Sequence, residues 1–99
     1  MLIREMLESQ KPRERFLRFG VENLSDAELF AILLRTGTIG ENVVDMSNRL
    51  IKEYGLDKLL SCSLIELEKI KGIGPAKAMQ ILSIAEITKR INQSKTPLK

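Results

Sequence analysis

Apolar positions recur along this chain at three- and four-residue spacings, and no stretch alternates strictly between apolar and polar. That pattern predicts helices and no strand, hence an all-α fold: a compact bundle of about five short helices. Pro12 opens a short helix, Arg13 to Phe19, with Phe16, Leu17 and Phe19 as packing residues and Gly20 as the stop. Ser25-Asp26-Ala27-Glu28 is a capping box that starts a helix through Arg35, whose residues Ala27, Leu29, Phe30, Ile32, Leu33 and Leu34 leave almost no polar stripe. Such a helix is expected to be buried on most sides. After Thr36-Gly37-Thr38-Ile39-Gly40-Glu41 a further helix runs to Tyr54, with Val43, Met46, Leu50 and Tyr54 on one face, and Gly55 closes it. A short helical segment at Leu56 to Leu60 follows, and Ser63-Leu64-Ile65-Glu66 is a second capping box. The last helix runs from Pro75 to about Ile91 and is apolar at Ala78, Ile81, Leu82, Ile84 and Ala85. Residues 1–11 read as a leader that tucks onto the domain, and 92–99 as a polar linker or tail, which leaves 1–91 as one helical domain.

The stretch from Leu67 to Ala78 organises the rest, because two glycines flank Ile73 and a helix begins at Pro75. Gly72 and Gly74 suit a tight turn that another backbone can approach, and Pro75 suits the first helical position. The first-turn amides of that helix carry the positive end of its dipole and point outward, so the turn is suited to an anion, most naturally a phosphate. The series Leu67, Ile70, Gly72, Ile73, Gly74, Ala78 and Ile81 resembles the helix-hairpin-helix motif at every slot. That resemblance implies that hairpin amides and nearby lysines hold one DNA strand by its phosphates. The residues it points to are Lys71, Gly72, Ile73, Gly74, Ala76 and Lys77. It also implies a possible monovalent cation on the carbonyls of Glu68, Ile70 and Ile73; no other cofactor is expected. A helix corner that uses its glycines for geometry alone is the competing reading.

Charge follows the same division. Net charge is +3, but residues 1–68 hold 9 basic and 12 acidic side chains, whereas residues 69–99 hold 7 basic and 1 acidic. A polyanion facing the basic end fits this asymmetry, as does a solvated basic helix. A second basic surface, Lys11, Arg13, Arg15 and Arg18, is either another phosphate contact or a solvated face. The chain has no histidine and a single cysteine, Cys62, so a histidine-based triad, a zinc site or an internal disulfide is not expected. No apolar run is long enough for a membrane span, and the expected location is the cytoplasm. No heptad seam is left over, so a monomer is the default.

A shift of 34 residues places Ile39 on Ile73 and Gly40 on Gly74, with Thr38 standing where Gly72 stands. This reads as a degenerate first hairpin, Thr38, Ile39 and Gly40, paired with a well-formed second one. A side chain at Thr38 resists the positive φ that a glycine accepts, which puts phosphate binding there in doubt. The pairing resembles a tandem helix-hairpin-helix domain gripping duplex or branched DNA.

Three further stretches, Pro12-Arg13-Glu14-Arg15, Leu24-Ser25-Asp26-Ala27-Glu28-Leu29 and Ile32-Leu33-Leu34-Arg35-Thr36-Gly37-Thr38, join the hairpin in a wider likeness. Together they resemble the N-terminal region of bacterial RadC-like proteins, which carry a DNA repair label. The resemblance implies a non-sequence-specific DNA-binding module and a second, metallopeptidase-like domain of the JAB/MPN type, absent here, as a partner within the chain. A protein-interaction module docking that domain is the alternative. Catalysis within these residues is not expected: the glycosylases that share this hairpin use an aspartate well downstream, and the bifunctional ones a lysine two positions after the second glycine. Here Ala76 stands at that position, and no aspartate follows Asp57.

Overall fold

The computed structural model describes residues 11–94, and the described residues form six α-helices without a β-strand, an all-α fold. They are α1 (Pro12–Phe19), α2 (Asp26–Leu34), α3 (Val43–Glu53), α4 (Gly55–Ser61), α5 (Leu64–Glu68) and α6 (Pro75–Ser94), with a 3-10 turn at Val21–Asn23. The expected leader, apart from Lys11, and the end of the expected tail lie outside the described residues. The chain divides into two units, Met1–Glu53 and Tyr54–Lys99.

In the first unit α2 packs on α3 and α1 packs on α2. Both signals at the start of α2 hold: the Ser25 hydroxyl accepts from the Glu28 amide, and the Glu28 carboxylate accepts from the Ser25 amide at 2.9 Å. The core consists of Leu24, Ala27, Phe30, Ala31 and Leu34 against Met46 and Leu50. α2 is therefore buried along one stripe rather than on most sides; Leu29 is exposed and Ile32 and Leu33 are half-buried. In so small a unit, two neighbouring helices cover only part of its circumference. α1 departs from expectation in the same way. Pro12 is its buried residue, while Phe16, Leu17 and Phe19 are exposed, and Arg15 and Arg18 lie over the Phe19 ring. Ser47 is fully buried on α3, and its hydroxyl has no hydrogen-bond partner among the described residues.

In the second unit α4 and α5 both pack on α6. Leu59, Leu67, Ile70, Ile73, Ala78 and Ile81 form its core. Gly55 adopts φ +83°, the left-handed conformation expected of a glycine that ends the preceding helix. The second capping box is also formed, with Ser63 and Glu66 exchanging the same two bonds as Ser25 and Glu28. α6 runs three residues further than expected, because Asn92, Gln93 and Ser94 contain no helix breaker and Pro97 is the first one reached.

Candidate nucleic-acid interface

The loop between α5 and α6 is a four-residue turn, Ile70-Lys71-Gly72-Ile73, followed by Gly74 as the N-cap of α6. The Ile73 amide donates to the Ile70 carbonyl at 3.0 Å, and Gly72 has φ +94°, the pattern of a type II turn. Ile70 and Ile73 are both buried, so the turn is pinned at its two ends by core side chains and presents Lys71 at its exposed tip. Ile73 thus positions the loop, and its amide already donates inside the turn. The Ile70 carbonyl, one of three matched to a cation site, accepts that same bond.

Gly74 is different from every other glycine whose surroundings are described. Its φ lies outside the left-handed region, and a Cβ built on it meets nothing within 4 Å. Neither backbone conformation nor internal packing requires a glycine there. The open space lies at the N-terminus of a 20-residue helix whose first turn carries no acidic side chain, although each of the other five helices has one. The amides of Gly72, Gly74 and Ala76 donate to no backbone carbonyl outside the helices among the described residues, and Lys77 lies half-buried in the first turn. An oxyanion approaching here meets the first-turn amides and the dipole, with no carboxylate in that turn to repel it; Lys71 and Lys77 stand three residues to either side of Gly74 in the sequence.

The loop between α2 and α3 is built on the same turn with other contents. Thr38 and Glu41 exchange two backbone bonds, 2.9 and 3.0 Å, around Ile39 and a left-handed Gly40 with φ +84°. The structural register is therefore a shift of 32 residues, not 34: Thr38-Ile39-Gly40-Glu41 matches Ile70-Lys71-Gly72-Ile73, and Val43 matches Pro75. The offset arises because the first loop is two residues longer than the second. Thr38 never has to take a positive φ; its amide is consumed in the turn, and Ile39 is fully exposed where Ile73 is buried. The first hairpin's N-cap is Asn42, whose side-chain Oδ1 accepts from the Asp45 amide at 2.8 Å. That helix terminus is closed by its own side chain.

Several contributors left weak traces in the sequence. Arg49 forks onto Glu41 at 2.9 and 3.0 Å and ties the first loop to α3. Gly37 is needed for packing, since a Cβ there would lie 2.1 Å from the Glu41 carbonyl oxygen. Arg35 has φ 72° and ψ −47°, with the Thr36 amide donating to the Leu34 carbonyl at 2.8 Å, a γ-turn of the strained hand. On α1, Arg15 is ion-paired with Glu28, so that surface is partly engaged within the chain. The Ser25 amide bond, assisted by Arg15, holds the Glu28 carboxyl below its ordinary range, and the Ser63 amide does the same for Glu66. Among the described residues no group of histidine, cysteine or carboxylate side chains could hold a metal, and no helix is long and apolar enough to cross a membrane.

A family model described as UPF0758 N-terminal matches residues 3–79. The chain belongs to this family. A UPF0758 protein of Pelodictyon phaeoclathratiforme is 53% identical over 95 residues, covering 96% of this chain and 43% of the relative. One from Chlorobaculum tepidum is 51% identical over 92 residues, covering 93% and 41%, and one from Clostridium acetobutylicum 50% over 95 residues, covering 95% and 42%. The chain thus spans less than half the length of these UPF0758 relatives, in keeping with its resemblance to the N-terminal region of RadC-like proteins. No solved structure matches it.

Proposed function

We propose that this chain is a non-sequence-specific DNA-binding module, which holds backbone phosphates at the Gly72–Lys77 turn. The observation that carries this reading is Gly74: a glycine that folding does not require, at the uncovered N-terminus of a long helix, beside Lys71 and Lys77. Phosphate contacts of this kind fix position and carry no base information, so duplex and branched DNA of any sequence are the expected substrates. A monovalent cation beneath the turn is compatible with this reading but adds nothing to it. The basic C-terminal third supplies long-range attraction.

The test is titration of labelled duplex across a salt series, with Gly74→Asp as the variant. An aspartate N-cap satisfies the first-turn amides and suits the dipole, so the variant is expected to melt at or above the parent temperature. Its carboxylate occupies the phosphate position, so binding is expected to fall by about tenfold or more, the equivalent of one charge-assisted hydrogen bond. The parent's affinity should fall with salt at a slope of about −0.9 per engaged phosphate. Absence of binding at low salt, or equal binding by the variant, rejects the assignment.

A second reading has one specific observation in its favour. Leu64 on α5 and Met79, Leu82 and Ile87 on α6 line an open apolar groove of about 490 Å³, ending at Glu86 and Arg90. A surface of that character suits another protein or a second domain of the same protein. Saturable, salt-tolerant binding of a protein that Met79→Glu abolishes would support it.

A further inference from the structure

At the turn position where the second loop carries Lys71, the first loop carries Ile39, and Ile39 is 100% exposed. A lone exposed apolar side chain is by itself ordinary, and what sets Ile39 apart is how firmly its loop is held. This loop is fastened at several points. The Thr38–Glu41 pair closes the turn, Gly37 is packed against the backbone of 41–43, and Arg49 grips Glu41 with two bonds. Just before it, Arg35 keeps the only positive φ of any non-glycine residue described. Strain persists where the surrounding structure over-determines it, and such places cluster at functional sites. The isoleucine is therefore presented outward by construction.

The surroundings of the tip narrow what it can enter. Arg35, Thr36, Thr38, Gly40 and Asn42, its neighbours along the loop, are all exposed and none is apolar. A folded protein partner typically buries an apolar core inside a polar rim, and the loop 35–42 has no second apolar side chain to make such a core with Ile39. A separated base step asks for something else: one apolar side chain narrow enough to replace a stacked neighbour, with hydroxyls, amides and a cation at its base to meet sugar and phosphate. Ile39 provides the first, and Thr36, Thr38 and Arg35 are of the types that provide the rest.

We propose that Ile39 is an apolar wedge that inserts at weakly stacked base steps of DNA, so that the module prefers mismatched to fully paired duplex. The inference rests on the DNA-binding reading and deepens it, since phosphate contacts at Gly74 alone would not distinguish the two substrates. Unstacking is least costly where pairing is already broken, which is where a wedge selects.

The experiment uses the full chain and duplexes carrying 2-aminopurine beside a single mismatch, with a fully paired control. Tighter binding to the mismatch, by about tenfold, is expected together with a rise in 2-aminopurine fluorescence on binding. Ile39→Ser should keep affinity for the paired duplex within about twofold, and lose both the preference and the fluorescence rise. Ile39→Val should retain them. Because the side chain touches solvent only, the melting temperatures of both variants should match the parent. Equal binding of both duplexes without a fluorescence rise, while Gly74→Asp still weakens binding, overturns the wedge and leaves the phosphate reading standing. No binding to any DNA overturns both. If Ile39→Ser leaves every DNA titration unchanged but removes salt-tolerant binding of a protein, the tip is a protein anchor instead.

Discussion

The two loops use one backbone device for opposite ends. Each is a type II turn with a left-handed glycine, Gly40 or Gly72, set just before a helix. In the first, the following N-terminus is closed by Asn42 and Asp45, the turn is tied down by Arg49, and the tip is apolar. In the second, Gly74 provides no cap, the flanking isoleucines hold the turn from below, and the tip is a lysine. The lesson is that a glycine means different things according to what a Cβ there would meet. Gly37 is required by packing, Gly40 and Gly72 by conformation, and Gly74 by neither; in the proposed reading, the ligand is what keeps Gly74 small.

The largest effect that separates the loops should come from Gly37→Ala. With its Cβ 2.1 Å from the Glu41 carbonyl oxygen, the variant has to rebuild the first loop. A loss of about 3 kcal/mol is expected in urea unfolding, the upper part of the range for overpacking. A loss below about 0.5 kcal/mol, the size of an ordinary surface change, would show that this loop is not locked. Gly74→Ser is the counterpart in the second loop, and its stability should stay within a few tenths of a kcal/mol of the parent.

Next in size is Asn42→Ala, which removes the cap of α3 and should cost about 1 kcal/mol, measured by the same unfolding curves. Its effect on binding to fully paired DNA should be small, because that helix terminus is not offered to phosphate. A binding loss as large as that of Gly74→Asp would break the distinction between the loops.

The smallest effect is with acid. Glu28 and Glu66 both have folded pKa values below their ordinary range, chiefly through the Ser25 and Ser63 amides. Carboxylates depressed in this way contribute stability that is present above the ordinary glutamate range and lost as pH falls through their folded values. Stability should therefore decline in acid, and Glu28→Gln, which removes the more enclosed carboxylate and with it the ion pair to Arg15, should flatten that decline. An unaltered acid slope in the variant would remove Glu28 from the account.

Much of this was legible in the residues. Helix starts were, because Ser25 with Glu28, and Ser63 with Glu66, act three residues apart, and local spacing alone brings each pair together. The second turn was legible for the same reason. The register between the two loops was not: residues that look alike in a 34-residue shift, such as Ile39 and Ile73, end up fully exposed and buried. Nor were the exposed faces of α1 and α2, since a run of apolar residues does not tell how many neighbours will arrive to cover it.

By itself, then, the sequence determined the all-α class, the capping boxes, the glycine turn before Pro75 and the concentration of positive charge after Glu68, all of which depend on residues close in the chain. Only the tertiary structure decided at which glycines a Cβ would meet nothing, that Asn42 caps the helix it precedes, and that Arg49 fastens Glu41 and leaves Ile39 outward. Those outcomes depend on space and on partners distant along the chain, and neither is written in local spacing.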